Sequence, residues 1–287
     1  MVYLQVPKMS EHPIETGIAG VVQIYELLDR VRTRRDLVIR DDQFDFGALL
    51  EAAEYAGRRR IGLSVLDTGR FGLDEVEALA RAGARVLTTD EARPRTEEWE
   101  ILQEACRRAG THLGVFWNGP LPAADGSTAV TAQTLENLLG SGLDLHVSSR
   151  VQPRQPKALA ALAAAARKGQ GFFVLYHLGP LAAELVGVAA GRAWIHLADA
   201  SIEDDAAAET AVAIARAAAA AGSRVAVHVE RGLALDVLVG LWDAGAALLL
   251  QTPPSDDQSL LRPVEQRASR ERKLPARAFW ISTAFLP

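Results

Sequence analysis

The sequence predicts an α/β fold, a single (β/α)8 TIM-type barrel with an N-terminal extension. The main observation is a repeated boundary: a helix-like stretch ends in glycine and a short apolar run follows, at Gly57, Gly83, Gly110, Gly142, Gly169, Gly191, Gly222 and Gly245. A second observation is that helix-like and strand-like segments alternate strictly, which is typical of parallel strands joined by right-handed crossovers. Eight such units, in about 250 residues, are what a barrel of this kind needs.

The individual elements follow from residue type and periodicity. The predicted strands are residues 60–66, 85–89, 112–117, 143–148, 172–177, 193–198, 224–229 and 247–252. The predicted helices between these strands, rich in Ala, Leu, Glu and Arg, include residues 73–82, 96–109, 157–168, 206–221 and 235–244. These residue types lose little freedom in a helix, and a glycine directly after the helix supplies the left-handed turn that ends it.

The glycine-marked count divides the chain into an N-terminal extension, residues 1–56, that packs on the barrel, and a barrel with a C-terminal tail, residues 57–287. A competing count makes residues 37–40 the first barrel strand and leaves 247–252 outside; we prefer the glycine-marked one. After Pro253 and Pro254, which block a continuous helix or inner strand, the chain is irregular. Residues 279–286 are apolar enough to pack back on the body.

Composition limits the classes of function. A formal net charge of −5 argues against nucleic acid as a partner, and the basic run at 267–273 fits a solvated tail. There is no stretch of about 18 consecutive apolar residues, so we expect no membrane association. The single cysteine, Cys106, cannot form an internal disulfide, which favours a reducing, cytoplasmic location. A homo-oligomer is compatible with these features.

Strand alternation predicts which side chains face the barrel axis, because successive residues point to opposite sides and the helix-facing side must be apolar. Valines 225, 227 and 229 take the helix side, which turns His228 and Glu230 inward. The same argument turns His146 and His196 inward. On residues 172–177 either Tyr176 or His177 is the inward residue. His112 begins its strand, so we expect a structural role for it.

Polar groups inside a barrel are costly unless they are paired or bound to something, and active sites of this fold lie at the C-terminal ends of the strands. One hypothesis is therefore a divalent metal, Zn, Mn or Fe, held by nitrogen and oxygen ligands. Its predicted ligands are His146, His196, His228, Glu230, Asp67 and Asp90. The alternative is a buried network in which neutral histidines bond to Asp144, Ser148 and Tyr176.

A metal-free hypothesis uses acid–base catalysis. The predicted catalytic residues are His228, Glu230, Asp199 and His177, and the predicted substrate-binding residues are Arg231, Asn118, Arg150 and Gln251. Arg93 is a further candidate clamp for an anion. Both hypotheses describe a lyase, isomerase or hydrolase that acts on a small polar, anionic metabolite. The rival prediction is a catalytically inactive barrel that serves as a binding or scaffold protein.

Other chemistries are disfavoured. All four lysines lie away from predicted strand ends, which argues against Schiff-base chemistry. The loops after the last two predicted strands lack the glycine-rich phosphate cup, and no GxGxxG motif is present, so we predict neither flavin nor nicotinamide.

Overall fold

The computed structural model describes residues 27–28, 31–32, 36–121, 130–150, 154–250 and 274–279. The strands are β1 Asp36–Arg40, β2 Gly62–Leu66, β3 Arg85–Thr89, β4 Leu113–Trp117, β5 Asp144–Ser148, β6 Phe173–His177, β7 Trp194–Ala198, β8 Val225–Val229 and β9 Ala247–Leu250. One helix follows each of the first eight strands: α1 Phe46–Arg59, α2 Leu73–Arg81, α3 Thr96–Arg108, α4 Ala132–Gly140, α5 Pro156–Lys168, α6 Leu185–Ala190, α7 Asp205–Ala220 and α8 Leu235–Asp243. None of these helices is long and apolar enough to cross a bilayer.

The nine strands form one parallel sheet, and each pairs with the next strand along the chain. This confirms the predicted α/β class. The strand order follows the chain order throughout, as it does in a (β/α)8 barrel. Within the described residues the series of pairs runs from β1 to β9 and includes no pair between those two strands. The eight predicted strands all occur, with bounds within one or two residues.

The preferred strand count was wrong in one respect, because residues 36–40 and residues 247–250 both belong to the sheet. β1 pairs with β2 in a register that places Leu37 beside Leu63 and Ile39 beside Val65. Helix α1 then runs across residue 56, so residues 36–56 form the first strand and most of the first helix. β1 is bounded by the charged residues Asp36 and Arg40 and is not directly preceded by a glycine, which explains its weak sequence signal. Residues 1–26 lie outside the described part.

The predicted helix-ending glycines have two different roles. Gly83 and Gly245 adopt the left-handed conformation, with φ of 105° and 100°, as predicted. Gly57 instead lies inside α1, and Arg60 takes the left-handed turn with φ of 57°. A Cβ at Gly57 would lie 2.5 Å from the carbonyl oxygen of Ala82, so glycine is needed there for close packing.

The sheet has two differently packed faces. Its helix-facing core includes Val225, Val227 and Val229, as the alternation predicted. A separate inner cluster covers the other face and consists of Leu87, Phe116, Val174, Tyr176, Trp194 and Ala278. Tyr176 is therefore the inward residue of β6. His177 is on the same side as Phe173 and Leu175, which pack in the helix-facing core.

Candidate functional site

Two histidines on neighbouring strands form a hydrogen-bonded pair on the inner face. Nδ1 of His196 on β7 lies 2.9 Å from Nε2 of His228 on β8. Nε2 of His196 lies 2.6 Å from the carbonyl oxygen of Ala278, which belongs to a C-terminal segment comprising residues 274–279. Both imidazoles are inward because the residues beside them, Leu197 and Val227, pack in the helix-facing core.

These contacts fix the proton positions in the neutral pair. A carbonyl oxygen only accepts, so Nε2 of His196 carries the proton that it donates to Ala278. Nδ1 of neutral His196 must then accept, and Nε2 of His228 donates to it. The basic nitrogen of the pair is therefore Nδ1 of His228. When Nδ1 of His228 takes up a proton, the charged ring keeps its hydrogen bond to Nδ1 of His196, and Nε2 of His196 keeps its bond to the Ala278 carbonyl.

Burial keeps both rings neutral at physiological pH. Desolvation, and secondarily the nearby His228, lowers the pKa of His196 to about 3. Desolvation lowers the pKa of His228 to about 4. His196 is fully buried, whereas His228 is half-buried. Of the two, His228 is the one that keeps some exposed surface.

His146 extends this group of rings on the other side of Tyr176. Nδ1 of His146 lies 3.3 Å from the Tyr176 hydroxyl, and the Tyr176 ring stacks on His196 with centroids 4.6 Å apart. Desolvation, with Arg85 and His196 adding to it, lowers the pKa of the fully buried His146 well below its usual value. The contact with Tyr176 matches the buried polar network that was the alternative to a metal site.

The acids at the strand ends hold the loops that follow the next strand. The Asp199 carboxylate, after β7, accepts from the backbone N–H groups of Glu230, Arg231 and Gly232 after β8, at 2.8, 2.6 and 3.2 Å. Asp90, after β3, accepts from the N–H groups that follow β4, at Asn118 and Gly119. Burial raises the pKa of Asp90. Each of these carboxylates therefore supports the backbone of a neighbouring loop.

Asp67 is committed to an ion pair. Arg93 donates through Nε and a terminal nitrogen to the two Asp67 oxygens, at 2.9 and 3.0 Å, and the Thr88 hydroxyl donates to the same carboxylate. Asp67 is 1% exposed and Arg93 6% exposed. The carboxylate raises the pKa of Arg93. Arg93 therefore does clamp a carboxylate, but it is one of the protein's own.

Of the predicted metal ligands, His196 and His228 are in direct contact with each other. Within the described residues, no group of three or more His, Cys, Asp or Glu side chains is arranged to hold a metal ion. The predicted set was His146, His196, His228, Glu230, Asp67 and Asp90. Of these, Asp90 accepts hydrogen bonds from a loop backbone and Asp67 pairs with Arg93. Both ring nitrogens of His196 are hydrogen-bonded, one to His228 and one to Ala278. These partners offset the cost of burying the polar groups.

The remaining predicted residues are spread over the strand ends. His177 lies on the helix-facing side of β6, with Nε2 3.1 Å from the carbonyl oxygen of Pro180. Glu230 and Arg231 are exposed on the loop after β8, and Arg150 is exposed after β5. The Asn118 side chain is oriented towards Glu91, at 3.4 Å. Gln251 lies outside the described residues.

The C-terminal segment was missed as part of the site. Besides the Ala278 carbonyl, it places the Phe279 ring against His196 and His228, with centroids 5.5 and 6.3 Å away. The apolar character of 279–286 had predicted packing on the body, and Phe279 does so; residues 280–287 lie outside the described part. The sequence signal for this contact was the run from Pro275 to Phe279, which is mostly apolar and follows a polar stretch.

Comparisons with known proteins return structural neighbours but no family. No protein-family model matches the chain, and no curated protein matches it. A solved structure described as a "putative lyase/mutase", from Burkholderia cenocepacia J2315, is similar at 16% sequence identity with a TM-score of 0.30, covering 85% of this chain and 87% of that chain. A similarity at this TM-score carries no information about the activity of this chain.

Proposed function

We propose that the protein is an enzyme that moves a proton to or from a small anionic metabolite, with Nδ1 of His228 as the proton acceptor. The observation that carries the proposal is the pair of hydrogen bonds in which His228 donates to His196 and His196 donates to the Ala278 carbonyl. General bases are commonly histidines oriented by a second hydrogen-bonding group. The reaction class is a lyase, isomerase or hydrolase.

His196 acts in this proposal as a positioning residue. It accepts a hydrogen bond from the Nε2–H group of His228, which selects the neutral tautomer with its proton on Nε2 and its basic nitrogen at Nδ1. Its own orientation is held by the Ala278 carbonyl and by stacking on Tyr176. The ring of His228 is therefore held in one orientation before a substrate arrives, which is the preorganisation that proton transfer requires.

The lowered basicity of His228 is the reason for choosing an anionic substrate. With a pKa of about 4, His228 alone is a weak base at neutral pH. A negative charge about 4 Å away, at an effective dielectric constant of about 20, stabilises the imidazolium by roughly 4 kcal/mol. That energy corresponds to a rise of roughly three in the pKa of His228. The pKa of His228 would therefore approach 7 only when the substrate is bound.

Arg231 is the proposed anchor for the anion. It lies three residues after His228, on the loop that Asp199 holds through three backbone hydrogen bonds. An exposed guanidinium on a fixed loop can bind a carboxylate or phosphate bidentately. Arg150, exposed after β5, is the second candidate anchor.

A direct test is hydrogen exchange in deuterated water. A panel of small 2-oxo, 2-hydroxy and 3-oxo carboxylates is incubated with the protein, and NMR follows loss of substrate protons or conversion to product. We expect one class to react with the wild type and with H177Q, whose imidazole lies on the helix-facing side of β6. We expect H228Q to lose this reaction. Full turnover by H228Q would contradict the assignment of the base.

The second candidate is a catalytically inactive barrel that binds small molecules or acts as a scaffold. The observation in its favour is that the strand-end acids Asp67, Asp90 and Asp199 are occupied by internal partners. In that case, a panel compound binds without being converted. H228Q then lowers the free energy of unfolding by about 1–3 kcal/mol, since a polar partner of His196 is replaced, and no reaction is lost.

A further inference from the structure

A second polar site lies at the other end of the inner face, where β5 and β6 begin. Its centre is Asp144, the first residue of β5, whose side chain is fully buried. Arg277 of the C-terminal segment donates through Nε to Asp144 at 2.9 Å and through a terminal nitrogen at 2.6 Å. The same terminal nitrogen donates to the carbonyl oxygen of Gln170 at 2.8 Å.

The Phe172 ring completes the enclosure of the guanidinium. Cζ of Arg277 lies 4.3 Å from the ring centroid, which is cation–π geometry. Phe172 in turn stacks on Trp194, with centroids 5.4 Å apart and planes inclined by 5°. A carboxylate that accepts two parallel N–H bonds favours a planar guanidinium over an ammonium group, and the carbonyl acceptor and the aromatic face add to the binding.

Most of this site belongs to the sheet and its adjoining loops. Asp144 also accepts from the backbone N–H of Phe172 at 3.0 Å, which ties β5 to the start of β6. Residues 144 and 172 are thus held together by the sheet, while Arg277 comes from 133 residues further along the chain. Arg85 is the other nearby cation, with a terminal nitrogen 4.0 Å from Asp144.

We propose that Asp144, the Gln170 carbonyl and the Phe172 ring form a guanidinium-binding site, which the chain fills with its own Arg277. A molecule with a free guanidinium group therefore binds there when the Arg277 side chain is absent. The site is separate from the proposed base, since it uses neither His228 nor His196.

The test is chemical rescue of R277A, followed by thermal unfolding and calorimetry. N-ethylguanidinium, at millimolar concentrations far below those that denature proteins, supplies the missing group. We expect R277A to melt below the wild type and N-ethylguanidinium to restore most of the lost melting temperature in a saturable manner. Ethylammonium, which has the charge but not the planar fork, should restore little.

Two matched controls locate the effect at the site. The wild type should not be stabilised by N-ethylguanidinium, because its own Arg277 side chain already fills the site. The double variant R277A/D144N should not respond either, because the carboxylate that accepts the fork is gone. The proposal is overturned if R277A responds equally to both cations, if it does not respond, or if the double variant responds as R277A does.

If R277A does not fold on its own, its refolding provides the test. R277A is then refolded from urea with and without N-ethylguanidinium, and recovery of native circular dichroism is measured against the same refolding with ethylammonium. Recovery that requires the guanidinium compound supports the site. Equal recovery with both compounds, or with neither, contradicts it.

Discussion

Replacing Asp199 with alanine tests whether this acid supports a loop, as its contacts indicate, rather than acting as a catalytic base. The substitution removes one carboxylate oxygen that accepts three backbone N–H bonds, at 2.8, 2.6 and 3.2 Å. Hydrogen bonds to a charged acceptor contribute about 1.5–3 kcal/mol each. The loop is exposed at Glu230 and Arg231, so water replaces part of this loss. We therefore expect a net decrease of about 3 kcal/mol in the free energy of unfolding.

Urea denaturation followed by circular dichroism measures this decrease, with the slope against urea concentration unchanged. D199N, which keeps an oxygen acceptor but loses the charge, should show a smaller decrease. E230Q is the matched control, since Glu230 is exposed on the same loop, and should change stability by no more than about 0.5 kcal/mol. A decrease for D199A that is no larger than the decrease for E230Q would refute the structural role.

Two further predictions concern buried polar groups. The folded-state pKa of His228, about 4, lies below the usual 6.5, so stability is fully present above pH 6.5 and is lost as the pH falls towards 4. The wild type should therefore lose roughly 3 kcal/mol more than H228Q over that interval, measured by urea denaturation at each pH; parallel curves would contradict this. R93L should cost about 3–5 kcal/mol by stranding the buried Asp67 charge, and D67N/R93L should recover part of it. If the double variant is no more stable than R93L, the pairing is not the cause.

The fold was largely predictable because its signals are local. The strand runs alternate with alanine-rich helices, and both patterns depend on near neighbours in sequence. β1 was misjudged because no glycine directly precedes it in the sequence and because charged residues, Asp36 and Arg40, lie at its two ends. Helices α4 and α6 were predicted only through the glycines that follow them, Gly142 and Gly191, and without bounds; α6 has only six residues, Leu185–Ala190, too few for a clear period.

The site was predictable only where strand alternation decides it. The valine flanks of His228 correctly predicted an inward ring, and its pairing with His196 follows from neighbouring strands. The roles of Asp67 and Asp199 were not predictable, because a strand-end acid looks the same in sequence whether it binds a substrate or caps the next loop. The partnership of Asp144 with Arg277 depends on residues 133 positions apart, which no local pattern reveals.

The measurement that tests the central claim most directly is nitrogen-15 NMR of the histidine rings across a pH titration. The account predicts that His228 is neutral at pH 7 with its proton on Nε2, and that it titrates near pH 4 without ligand. A bound anionic substrate should raise that midpoint. A proton on Nδ1 of His228 at neutral pH, or a midpoint near 6.5, would contradict the hydrogen bond from His228 to His196 and the proton-transfer chemistry proposed from it.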